Sequence, residues 1–248
     1  MLKDMTDELR NALFGRSSMF IGSMETPAER ILYHIIHETL ANGKTVIWVC
    51  LKDPPERTLS KFASYGLPVE GLEERLWFVD ATIIGDKTIA QRTLRCNSMD
   101  YICFTMQVGK LLKKHPGSLV MLDSIGMLGA LEHTDIIIRL VKLLEAKIQA
   151  AGGGLVTFLA NNPVPGSAEA KISSIMDTVI RVEEETIQAH AGSRELSIPF
   201  SFSGNELIIG NANIENDLRE LFSLSPEEKK KLELEVEDKT YLYSKIID

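Results

Sequence analysis

At 248 residues, 44% hydrophobic and 25% charged, the chain has the size and composition of one large globular domain with a full α/β core. A net charge of −8 argues against coating nucleic acid through bulk electrostatics, and no apolar run approaches the ~20 residues of a membrane span. Cys50, Cys96 and Cys103 form neither a CxxC pair nor an even disulfide framework, and the acidic start "MLKDMTDELR" is unlike a signal peptide, so a reduced, cytoplasmic protein is expected.

Residues 1–14 are predicted as an N-terminal helix ahead of a core domain over 15–210. The core opens on an apolar run, Met19–Ile21, followed by "GSMETPAER" and a helical pattern over 27–41. Strands are then predicted at 45–51, 76–81, 118–124, 154–160 and 177–183. Helices are predicted between them at 54–65, 98–114, 134–151 and 168–176. Several strands are almost continuously apolar, as in a parallel sheet covered on both faces. "RELSIPFSFSGNELIIG" (194–210) reads as two antiparallel strands joined at Ser203-Gly204-Asn205. A polar helical tail, 211–248, follows, with an exposed helix over 225–239 that is capped at Ser225 and has Pro226 in its first turn. The fold class expected is a doubly wound, mainly parallel α/β sheet flanked by helices, with a C-terminal antiparallel hairpin and a helical tail.

Strand, glycine turn, helix is the layout of a phosphate-binding loop, which needs G-x-x-x-x-G-K-[ST]. Counted from Gly22, Pro27 stands in the second glycine's place, Ala28 in the lysine's and Glu29 in the hydroxyl's. Thr26-Pro27-Ala28-Glu29 instead reads as a capping box that satisfies the helix's first N–H donors internally. Glu29 also brings a negative charge to where phosphate would sit. Two like charges at ~4 Å repel by about 4 kcal/mol at an effective dielectric near 20. "GKT" at Gly43-Lys44-Thr45 is a decoy, because Glu38 replaces the first glycine and the segment runs from helix to strand.

The surrounding order of motifs resembles the KaiC/RadA-like branch of the RecA superfamily over roughly residues 15–210. "ETLANGKTVIWVCLKDPPERTLSKFASYGL" (38–67) is similar to that family's segment after the phosphate loop. "FVDA" (78–81), "LVMLDSIGML" (119–128) and "IMDTVIRVEEE" (175–185) fall at its later strands. The resemblance implies that Asp123 stands at the Mg²⁺-orienting Walker B aspartate, with Ser124 after it. It places Lys52 and Asp53 at the family's acidic pair, Lys52 with reversed charge, and Asn161 at the sensor of the terminal phosphate. Gly22, Thr26, Pro27, Ala28, Glu29, Lys52, Asp53, Asp123, Ser124 and Asn161 are thus expected to form a vestigial nucleotide site. No catalytic residue, cofactor or metal is expected there.

The function that follows is a catalytically inactive, pseudo-ATPase member of that family. It would act as an assembly or protein-binding module, as a homo-oligomer or with a RecA-like paralogue, and a peptide is a further partner. The alternatives are a divergent ATPase or nucleotide sensor, or an accessory protein of recombination or RNA-associated complexes. Other features have ordinary structural readings. "KLLKKH" (110–115) is a helix end whose charges complement the dipole. His34, His37 and Glu38 lack the spacing of a zinc motif. The F-x-x-A of Phe78–Ala81 lies in a core strand.

Overall fold

The structure, a computed structural model, describes residues 15–22, 27–82, 92–96, 100–129, 134–160, 166–192 and 194–210. The predicted helix over 1–14 and the tail over 211–248 lie outside the described residues, as do Thr26 and Asn161.

Among the described residues ten strands form one mixed sheet: β1 (Ser17–Gly22), β2 (Val46–Cys50), β3 (Leu76–Asp80), β4 (Thr93–Arg95), β5 (Leu119–Leu122), β6 (Gly154–Ala160), β7 (Thr178–Val182), β8 (Thr186–Ala191), β9 (Arg194–Ser203) and β10 (Glu206–Ile209). Their spatial order is β10-β9-β8-β7-β1-β6-β5-β2-β3-β4. From β7 to β4 every pairing is parallel, and from β7 to β10 every pairing is antiparallel. The helices are α1 (Ala28–Ala41), α2 (Pro55–Ser64), α3 (Tyr101–Lys114), α4 (Ile125–Gly129), α5 (Thr134–Ala150) and α6 (Gly166–Ser173). The chain is therefore α/β, with a mainly parallel sheet flanked by helices and an antiparallel C-terminal part.

The apolar strands are buried along their whole length, as parallel strands covered on both faces must be. Side chains alternate between two cores, as the two-residue period of a strand requires. On one face Phe20, Trp48, Met121 and Phe158 pack with Ile31, Ile35 and Phe62 from α1 and α2. On the other, Met19, Ile21, Val49 and Leu122 pack with Phe104 and Val108 from α3 and Val141 and Leu144 from α5. Trp48, 1% exposed, is a centre of the first core, with Tyr33 and Phe62 rings 5.0 and 5.7 Å away. Truncating it to alanine would cost about 3–5 kcal/mol.

The antiparallel part is larger than the expected hairpin. β8, with the sequence TIQAHA, joins β7 to β9, so three strands extend the sheet beyond its parallel half. The turn at Gly204-Asn205 falls where the sequence places it, with Ser203 paired to Glu206. Here the extension reaches α1: the Arg30 guanidinium donates to Gly204 O at 2.6 Å and lies 3.9 Å from the centre of the Phe202 ring. α1 is thus covered by the sheet's own extension.

Candidate functional site at the carboxyl ends of β1, β2 and β5

In open α/β sheets, ligand sites form at the carboxyl ends of the strands. There Gly22 closes β1, Leu51–Pro54 lead from β2 into α2, and Asp123-Ser124 lead from β5 into α4. The two ends lie side by side because β2 and β5 are neighbours, with Val49 opposite Leu122. Residues 29, 52, 53 and 123, expected at one site, are indeed brought together. Pro27 and Ala28 stand at the start of α1, where the Pro27 carbonyl accepts the first helical bond, from Ile31 N–H at 2.8 Å. Ala28 is completely buried in the core below.

Asp123 is turned toward the β2–α2 loop. One carboxylate oxygen accepts from the N–H groups of Leu51 (2.8 Å) and Lys52 (3.1 Å), and the other from those of Lys52 and Asp53 (both 3.2 Å). Three consecutive backbone donors that no strand partner serves are satisfied by a single side chain, and this fixes the loop. Burial pushes the Asp123 carboxyl up to about 7; the backbone donors pull it down, and the nearby Asp53 charge pushes it up. Ser124 is buried beside it, and its carbonyl accepts from Met127 N–H in the first turn of α4.

A chain of ion pairs lies above this loop. Asp53, 4% exposed, accepts from Lys61 at 2.7 Å and pairs with Arg57 at 3.2 Å. The same Lys61 ammonium donates to Glu29 at 2.6 Å, so it bridges the first turn of α1 and the loop after β2. Glu29's other oxygen accepts from the Tyr65 hydroxyl at 3.2 Å, and Lys52 stands 3.9 Å from its first. Burial works to lower the Lys61 ammonium, but hydrogen bonds to Asp53 and Glu29 and their charges outweigh it and hold it above the ordinary lysine value. Burial, the Glu29 charge and the hydrogen bond to Glu29 likewise raise Tyr65. Tyr33, which packs on Tyr65 and Phe62 below, is raised by burial first and then by Glu29, Asp123 and Asp53.

Lys61 and Tyr65 are the site residues that sequence reasoning missed. A signal was present: Arg57 and Lys61 lie four apart on one face of α2, with Asp53 four residues before and Tyr65 four after, just outside the helix ends.

The chemistry this arrangement supports is charge pairing. Glu29 and Asp53 are matched by Lys52, Lys61 and Arg57, and Asp123 by backbone donors. To reach the Lys61 ammonium, a phosphate would have to displace Glu29. No group of three or more histidine, cysteine or acidic side chains that could hold a metal occurs among the described residues. His34 and His37 do not face one another's ligands: His34 is buried against Phe202, and His37 Nε2 contacts Pro68 O at 2.9 Å. Phe78 and Ala81 are buried, 2% and 6% exposed, as a core strand requires. No helix among the described residues is long and apolar enough to cross a membrane. No family model matches the chain, and no curated protein does.

Proposed function

We propose that the chain is a RecA/KaiC-like module without ATP hydrolysis that works through contacts with other proteins. One observation carries this reading: a single ammonium, that of Lys61, holds Glu29 and Asp53 together across the place where a phosphate loop and its acidic pair would grip a nucleotide. These groups satisfy one another's charges there. Asp123, which the family resemblance would assign to magnesium, is engaged with the loop backbone instead. A scaffold kept without its chemistry serves by shape, so a homo-oligomer or a complex with a RecA-like paralogue in the cytoplasm is the role that fits.

Phosphate release from Mg-ATP by the purified chain tests the catalytic half, and is expected at background. Release that disappears in the Asp53→Asn and Asp123→Asn variants would overturn it. Sedimentation velocity tests the assembly half, with a self-associated species expected at micromolar concentration. A strict monomer that binds no RecA-like paralogue would count against it.

A further inference from the structure

Cys96 and Cys103 stand apart in sequence and neither belongs to the candidate site, yet the fold brings their side chains together. Cys96 follows β4, where its N–H donates to Asp80 O at 2.8 Å and extends the β3–β4 ladder by one bond. Cys103 stands in the first turn of α3, where its N–H donates to the Asp100 carboxylate at 2.8 Å. The Cys103 thiol donates to the carbonyl of Arg95, the residue before Cys96, at 3.8 Å. The two thiols are also hydrogen-bonded to one another. Each cysteine is therefore anchored through its own backbone, one on the sheet and one on a helix.

The third cysteine differs in every respect that governs reactivity. Cys50 is 0% exposed, and burial pushes its thiol well above the ordinary value, which makes it inert because the thiolate is the nucleophile. Cys96 and Cys103 are half-buried, within reach of a small reagent. Cys96 is raised too, by burial first and then by the hydrogen bond to Cys103 and its charge, so Cys96 keeps its proton while Cys103 attacks. We propose that Cys96 and Cys103 are a redox modification site, a dithiol that a small-molecule disulfide closes reversibly to an intramolecular disulfide. The Cys103 thiolate attacks one sulfur of the reagent, whose own S–S bond breaks as one thiolate leaves. Cys96 then releases its proton and attacks Cys103 Sγ, which expels the second thiolate. The protein loses two electrons and two protons, and the reagent is reduced to two thiols. Closing the bond ties β4, the end strand of the sheet's parallel half, to the first turn of α3.

Treatment of the reduced full-length chain with oxidised glutathione under native conditions tests this, read by intact mass and a tryptic map. No lysine or arginine lies between Cys96 and Cys103, so both fall in one peptide, 96–110. That peptide is expected to lose about 2 Da, the mass of two hydrogens, and to regain it with dithiothreitol, while Cys50 stays a free thiol. Cys96→Ser should instead hold a stable glutathione adduct on Cys103. Closure should run at least about tenfold faster in the folded chain than in a synthetic peptide 96–110, which has the spacing without the fold. An adduct that persists on the wild-type chain, a bond that involves Cys50 or a second copy, or closure no faster than in the peptide would overturn the proposal.

Discussion

The ammonium of Lys61 lies 2.6 Å from the carboxylate of Glu29, which joins the last turn of α2 to the first turn of α1. Both partners are about four-fifths shielded from solvent. The neighbouring contact to Asp53, at 2.7 Å, makes Lys61 the hub of the site.

Removing the hub leaves two acids without their shared cation. Lys61→Met is expected to destabilise the fold by about 3 kcal/mol, within the range for breaking a largely buried pair. Glu29→Gln alone should cost less, because Lys61 retains Asp53. In a double-mutant cycle read by urea unfolding, Lys61 and Glu29 should show a coupling of about 1–2 kcal/mol. A coupling near zero would mean the contact does not hold the two helices together.

Asp123 predicts a pH dependence of definite sign. Its carboxyl is raised to about 7 in the folded chain from an ordinary aspartate value near 4, so the folded state binds the proton more tightly than the unfolded state. Its contribution to stability is fully present below about pH 4 and is lost as pH rises to about 7. The stability difference between wild type and Asp123→Asn should therefore change across that window and level off above about pH 8. A difference that is flat from pH 4 to 8 would refute the shift. Asp123→Ala, which strips the acceptor from three N–H groups, should cost about 3 kcal/mol near pH 4 and less as pH rises, because it lacks the same titrating group.

Gly66 ends α2 with φ +73°, and a Cβ built on it would meet the Asn205 side chain at 2.0 Å. Gly66→Ala combines a left-handed backbone penalty with a clash, and is expected to cost about 2 kcal/mol. Asn205→Gly in the same chain should restore the steric share and leave the backbone share. If Gly66→Ala costs the same with and without Asn205, the β9–β10 turn does not rest on α2.

Arg30 ties α1 to that turn through Gly204 O and the Phe202 ring. In Arg30→Ala the amides of β9 and β10 should exchange faster, with those of β5 and β6 unchanged. A uniform change across the sheet would mean that the extension is not a separate unit of stability.

Much of this molecule is legible in its sequence, for identifiable reasons. "TVIWVC" and "LVML" are apolar at every position, a pattern that only doubly covered strands sustain, and both are buried throughout. Gly204-Asn205 announces its turn by residue type. β8 escapes notice because its inward residues after Ile187 are Ala189 and Ala191, too small to raise the hydrophobic signal against Thr186, Gln188 and His190. At the site, the positions of Glu29, Lys52, Asp53 and Asp123 follow from motif order, but their partners do not. Lys61 reads as a surface lysine until the fold sets α2 against the start of α1. The bonds from Asp123 to three backbone donors depend on the β2–β5 register, which local sequence does not encode.

The most direct test of the central claim is thermal unfolding with and without millimolar Mg-ATP at matched ionic strength. A ligand at 100 times its dissociation constant stabilises a protein by about 2.7 kcal/mol, a shift of several degrees. With Lys61 held by Glu29 and Asp53, the account predicts coincident transitions. A clear upward shift with Mg-ATP, lost in the absence of Mg²⁺ or in Asp123→Asn, would contradict it and make the chain a nucleotide-binding protein.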